Sequence, residues 1–166
     1  MSYVDTSVIV AALDPTDPRR ERAKDALEEE SYKVVSELVL AELASVLSRR
    51  GDVVSSLAHR LGLSTELTIV AVLLYLLRRF NLKYRAVESR ARTLPFGKAS
   101  APTATAMELS AALKLKTLDL LHVAYMKLLK DQGEPIFTLK TADADFKEAE
   151  EQLKSAVGVS VSIVEP

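Results

Sequence analysis

Five acids stand out by where they fall in the chain. Asp5 follows a short apolar run, Tyr3-Val4, and is itself followed by two hydroxyls, Thr6 and Ser7. Glu42 sits between Ala41 and Leu43, at the edge of an apolar helical stripe. Asp119 comes two residues after Thr117, and Asp143 two residues after Thr141, with Asp145 close behind. Carboxylates gathered in one crevice repel: at 4 Å and an effective dielectric near 20, each pair costs about 4 kcal/mol. Such a group must take up protons or a cation, and oxygen donors suit a hard divalent ion such as Mg²⁺. Each acid also has a plainer explanation. Asp5 can cap the helix beginning at Thr6, and Asp119 and Asp143 can complement helix dipoles behind N-capping threonines, each worth about 1 kcal/mol. Those explanations leave out Glu42, a carboxylate that must be paired or metal-bound if buried.

A sheet is needed to bring acids so distant in sequence together. Tyr3-Val4 is too near the terminus to be stable as a strand unless it lies inside a sheet covered on both faces. The pattern then predicts a helix over Thr6–Leu13, ended by Asp14-Pro15, and a second from Arg19 to about Glu30, capped by Asp17-Pro18. Tyr32–Val35 reads as the second strand. Ser36 opens a helix, Glu37–Arg50, whose stripe is Leu40, Leu43, Ala44 and Leu47 and which Gly51 stops. Further helices are expected over Val53–Leu61 and Ser64–Arg79, a third strand over Lys83–Val87, and a loop over 90–102. Two more helices follow, Thr103–Leu115 and Thr117–Leu129, then a fourth strand, Pro135–Leu139, a polar helix from Thr141 to Lys154, and an edge strand, Val159–Val164. Strands alternating with helices predict an α/β fold, a parallel twisted sheet of about five strands with helices on both faces. In such a sheet the ends after the first and fourth strands can meet at a topological switch point, where ligands bind.

Composition narrows the chemistry. At 166 residues the expectation is one domain spanning 1–166, with 52–100 as a longer helical, basic middle segment. There is no Cys, which excludes disulfides, thiolate zinc and a Cys nucleophile, and the two His, His59 and His122, are too few for a histidine-rich metal site. His59 reads as surface, and His122 as a structural residue on an apolar face. Five glycines and no glycine-rich loop argue against a Walker or Rossmann phosphate site. The N-terminus lacks a signal pattern, and the most apolar run, Leu67–Leu77, is shorter than the roughly 20 residues a membrane span requires. A soluble, cytoplasmic protein without a membrane anchor is expected.

The net charge of −1 hides an uneven distribution. Residues 1–48 carry 5 Lys/Arg against 10 Asp/Glu, residues 49–98 carry 10 against 3, and residues 99–166 carry 7 against 10. A basic middle between acidic ends suits an enzyme acting on a polyanion, and equally suits solvated helix faces. Arg90, Arg92 and Lys98 are candidates to touch a phosphate backbone. With only 5% aromatics, an extended base-stacking platform is not expected.

Four motifs, in order, resemble those of the PIN-domain nucleases, and among them the single-domain VapC-like toxins. They are Val4-Asp5-Thr6-Ser7 at the end of the first strand, Glu42 in the apolar helix after the second, Asp119-Leu-Leu-His122-Val-Ala124 heading a helix, and Thr141-Ala-Asp143-Ala-Asp145-Phe146 after the fourth strand. The resemblance implies a Mg²⁺- or Mn²⁺-dependent endoribonuclease hydrolysing phosphodiester bonds of RNA. It implies Asp5 and Asp119 as direct ligands, with Glu42 and Asp143 completing the site directly or through water. The Thr-x-Asp and Phe spacing favours Asp143 over Asp145. Thr6, Ser7 and Thr141 would orient carboxylates or water. A toxin implies an antitoxin partner, whose segment could insert an Arg among the acids. The Leu67–Leu77 helix could serve as a homodimer face or as intramolecular core. RNA rather than DNA rests on the resemblance alone. The rival readings are a housekeeping RNA-processing nuclease of the same fold and a non-catalytic binding module that keeps the acids as caps.

Overall fold

The computed structural model describes residues 1–29, 32–88 and 91–166. Its centre is β1 (Ser2–Val4), all three residues of which are buried, Tyr3 and Val4 completely. Both edges of β1 are occupied by parallel partners: β2 (Lys33–Val35) on one side and β6 (Thr138–Thr141) on the other. Outside them lie β3 (Leu82–Tyr84) and β7 (Ser160–Ile163), giving a five-stranded parallel sheet in the order β3-β2-β1-β6-β7 flanked by helices. The order reverses at β1, since the chain leaves it toward β2 and returns on its far side as β6. That is the switch point expected from the alternation of elements.

Eight-residue α1 (Thr6–Leu13) follows β1 directly and packs on α2 (Arg20–Glu28). Asp17 caps the approach to α2, its Oδ1 accepting the Arg19 N–H at 2.8 Å. After β2 comes α3 (Glu37–Arg49), then α4 (Gly51–Leu61) and α5 (Thr65–Arg79). Gly51 was expected to end a helix and instead begins one: the break falls on Arg50, at φ −95° and ψ 49°. Of α5, Thr68 and Leu76 are buried while Leu67, Val70, Leu74 and Tyr75 are each more than half exposed, so the most apolar helix is only partly core. Among the described residues no single helix is long and apolar enough to cross a membrane. α4 and α5 together reach that composition only across a 93° bend.

Several sequence expectations are corrected. The stretch expected to be loop over 90–102 holds an antiparallel hairpin, β4 (Ala91–Leu94) and β5 (Gly97–Ser100), and the start of α6 (Ala101–Leu113). Pro95 and Phe96 form its two-residue turn, and Gly97 closes it at φ 137°, a conformation that favours glycine. The third strand is shifted to Leu82–Tyr84, because the Val87 N–H turns to the Glu37 side chain at 3.3 Å rather than to a strand. The fourth is shifted to Thr138–Thr141, since the Ile136 N–H is spent in a local turn to the Glu134 carbonyl. Thr141 is therefore a strand residue, not a helix cap. The rest of the chain is α7 (Thr117–Asp131), then α8 (Ala144–Glu148) and α9 (Glu150–Val157), where one helix was expected, and the edge strand β7. The expected helix end at Glu30 and the candidate phosphate contact Arg90 lie outside the described residues.

Candidate active site

Asp5 leaves the carboxyl end of β1 as a 5% exposed residue, its N–H bonded to the Lys140 carbonyl of β6 at 2.9 Å. Its Oδ2 accepts from two hydroxyls, Ser7 Oγ at 2.5 Å and Thr141 Oγ1 at 2.8 Å. Each hydroxyl accepts in turn from a backbone N–H of the loop after β6: Ala142 to Ser7 at 2.9 Å, and Asp143 to Thr141 at 3.1 Å. Both hydroxyl protons are thus committed to Asp5, and the 3.3 Å approach of Ser7 to Thr141 is a contact between two oxygens without a proton to share. This lattice ties the first acid to the loop that carries Asp143 and Asp145.

Glu42, on α3, is held in the same manner. Its Oε2 accepts from Thr6 Oγ1 at 2.5 Å and lies 2.9 Å from His122 Nε2. Burial works to raise the Glu42 pKa, but these two hydrogen bonds and the charge of His122 hold it below the usual carboxylate value. His122 is 2% exposed, and its Nε2 also approaches Asp5 Oδ1 at 3.4 Å. Burial works against charge on this imidazole, yet the Glu42 hydrogen bond and the charges of Asp5, Glu42 and Asp119 raise its pKa. Behind the ring, Nδ1 lies 3.1 Å from the Tyr3 hydroxyl, which lies 2.7 Å from Ser36 Oγ.

Asp119 stands in the first turn of α7, where the N-terminal dipole favours it. Thr117, expected as the N-cap, is the first helical residue, and the cap position is Lys116, without a side-chain bond. Asp119 Oδ2 is buried and has no hydrogen-bond partner among the described residues. Burial first, then the charges of Asp143 and Asp5, push its pKa up to about 6. Asp143 is the N-cap of α8 in place of Thr141, its Oδ1 accepting the Asp145 N–H at 2.9 Å. Asp145 makes an ion pair with Lys116 at 2.6 Å.

These side chains form two adjoining groups, Asp5 with Glu42 and His122, and Asp119 with Asp143 and Asp145. Within each, one donor atom per residue lies within 4.8 Å of the others. The donors fit a hard divalent cation. A buried carboxylate oxygen without a donor, beside two further acids, is unfavourable unless protonated or neutralised by a cation. Asp5, Glu42, Asp119 and Asp143 all contribute to this arrangement, while Asp145 has its charge answered by Lys116.

The PIN domain family model matches residues 2–152. The chain belongs to the PIN domain family. No curated protein matches its sequence. Its PIN fold extends to solved structures. VapBC2 from Rickettsia felis, bound to a DNA fragment from its promoter, has 17% identity and a TM-score of 0.56, over 99% of this chain and 100% of that one. FitAcB from Neisseria gonorrhoeae has 18% identity and a TM-score of 0.51, over 97% and 96%. At those identities the likeness is one of fold.

Within this PIN domain, three residues near the acids were not read from the sequence as part of the site. His122 was expected to be structural, and it is buried and bonded, but between two of the acids. The signal available was its place one turn after Asp119 on the same helix face. Arg19 donates to the Ala142 carbonyl at 2.8 Å while its other nitrogens hold Asp17, bracing the loop before Asp143. Lys116 had no local signal at all. Among the candidate phosphate contacts, Arg92 is ion-paired with Glu108 at 2.7 Å, whereas Lys98 is exposed on the hairpin.

Proposed function

We propose that this PIN domain, spanning residues 1–166, is a Mg²⁺- or Mn²⁺-dependent endoribonuclease, the toxin of a type II toxin–antitoxin pair. The observation that supports it most is the buried Asp119 oxygen, without a hydrogen-bond partner among the described residues, beside Asp143 and Asp145 and within the charge field of Asp5. That is an arrangement suited to cation binding and costly without it. Asp5 and Asp119 would hold the ion, with Glu42 and Asp143 completing the ligand set. A divalent ion held there would supply Lewis acidity, activating a water and offsetting charge on the phosphate.

The chain's own residues do the positioning. Ser7 and Thr141 occupy Asp5 Oδ2, so that Oδ1 is left with only the 3.4 Å approach of His122. Thr6 likewise occupies Glu42 Oε2 and leaves Oε1 without a bond. Lys116 draws Asp145 aside, which favours Asp143 as the fourth acid. The exposed Lys98 supplies positive charge for a phosphate backbone.

The toxin assignment follows from the VapC-like motifs, is supported by the fold shared with VapBC2 and FitAcB, and brings with it an antitoxin partner. A homodimer through the exposed Leu67, Val70, Leu74 and Tyr75 stripe of α5, and a cytoplasmic location, belong to the same reading. The test is cleavage of a fluorophore–quencher single-stranded RNA with Mn²⁺, with Mg²⁺ and with EDTA, beside a matching DNA and an Asp5→Asn/Asp119→Asn double variant. Metal-dependent RNA cleavage absent from the variant is expected. Cleavage that survives in EDTA or in the variant would overturn the proposal.

A further inference from the structure

The metal reading does not use His122, yet its imidazole is almost wholly enclosed, at 2% exposure. The imidazole lies between two acids that come from different elements, Asp5 at the end of β1 and Glu42 on α3. Thr6 donates to Glu42 Oε2, so that oxygen is an acceptor, and the Nε2 atom 2.9 Å from it carries the proton. The other ring nitrogen faces the Tyr3 hydroxyl at 3.1 Å, and that hydroxyl faces Ser36 Oγ at 2.7 Å. In the neutral ring Tyr3 donates to Nδ1 and accepts from Ser36. In the cationic ring both bonds reverse. In either case Nε2–H stays directed at Glu42. Tyr3 and Ser36 are completely buried, so this chain of donors has no water to exchange with and is fixed by packing.

We propose that His122 is a positioning residue for the metal site. It braces Glu42 against Asp5 so that each presents one unoccupied oxygen, and Tyr3 backed by Ser36 holds the far ring nitrogen so that the Nε2 proton stays directed at Glu42. The geometry carries this in three ways. His122 Nε2 and Thr6 Oγ1 converge on the same Glu42 oxygen, Oε2, and thereby fix the carboxylate's rotation with Oε1 left open. On Asp5, two hydroxyls take Oδ2 and His122 stands by Oδ1 at 3.4 Å, too long to consume it. The ring is also held edge-on to Tyr3, with centroids 6.0 Å apart and planes at 70°, which fixes its orientation. Outer residues that orient ligating carboxylates typically contribute 10- to 100-fold in metal affinity.

This inference rests on the metal reading above, and its test separates the two. Mn²⁺ binding is measured by calorimetry, and Tm recorded without metal, for wild type, His122→Leu, His122→Gln and Tyr3→Phe. His122→Leu is expected to bind Mn²⁺ about 10- to 100-fold more weakly. His122→Gln, whose amide N–H can reach the Nε2 position, should recover most of the loss whatever its Tm. Tyr3→Phe removes a single oxygen and serves even if the His122 variants do not fold. It should weaken binding and move the ¹⁵N shifts of His122 away from the Nε2–H pattern. Wild-type affinity in His122→Leu, or in Tyr3→Phe with an unchanged ¹⁵N pattern, overturns the inference alone. So does a Gln variant as weak as Leu, which would make the imidazole itself a ligand. A wild-type protein that binds no Mn²⁺ overturns the metal reading and this inference with it.

Discussion

Thr141 Oγ1 donates to Asp5 Oδ2 at 2.8 Å, a bond between residues 136 apart in sequence, one the last residue of β6 and the other just past the end of the adjacent strand β1. Thr141 is completely buried, and the same oxygen accepts the Asp143 N–H. Thr141→Val keeps the shape and deletes both functions, so it should cost about 1–3 kcal/mol of stability, the penalty of an unsatisfied buried polar group. It should also weaken Mn²⁺ binding. Urea denaturation beside calorimetry would read both, and an unchanged midpoint would mean that water replaces the hydroxyl.

Asp119 gives a pH dependence whose sign follows from its raised pKa of about 6. An unfolded Asp titrates near 4, so the folded state holds the proton more tightly. The charged side chain destabilises the metal-free fold above pH 6, and this penalty is relieved as the pH falls from about 6 toward 4. Asp119→Asn should therefore raise the Tm of metal-free protein at pH 7.5, with the gain shrinking at pH 4.5. A gain equal at both values would place the cause outside this titration. In the wild type, proton competition should weaken Mn²⁺ binding below pH 6.

Lys116 distinguishes the two acids that follow β6. Because its ammonium pairs with Asp145 at 2.6 Å, Asp143→Asn should cost more Mn²⁺ affinity than Asp145→Asn. Lys116 is largely exposed, so Lys116→Ala should change stability by no more than about 0.5 kcal/mol. Its effect should be on the metal, raising affinity by freeing the Asp145 charge. Equal losses in the two Asp variants would mean that both bind.

Away from the site, Asp14 joins the end of α1 to Arg50 at the α3–α4 break through a 2.7 Å ion pair. Hydrogen bonds from the Thr16 hydroxyl and N–H, and from Arg50, lower its pKa to about 2. A depressed carboxylate stabilises the fold above its unfolded pKa near 4, and the stabilisation is lost as the pH falls through 2. Asp14→Asn should lower the Tm at pH 7 and lower it much less at pH 2. Thermal melts at the two pH values check this, and a constant difference would refute it.

Much of this was legible in the sequence because it is local. Hydrophobic period and turn residues marked most elements, and the buried Tyr3-Val4 run required a partner on each side. The four motifs carried the acids in order from Asp5 to Asp143, and the family with them. Where local signals misled, a long-range partner had decided otherwise. Thr before Asp predicts a cap at Thr141, but pairing with Ile163 of β7 draws it into β6. The hairpin at 91–100 was read as loop because Pro95 and Gly97 mark a turn and its short strands lack a buried face. That β6 lies against β1, that His122 lies between Asp5 and Glu42, and that Lys116 reaches Asp145 depend on how strands are ordered and helices docked. Residues 29 to 136 positions apart meet there through packing and hydrogen bonding, which no local pattern encodes.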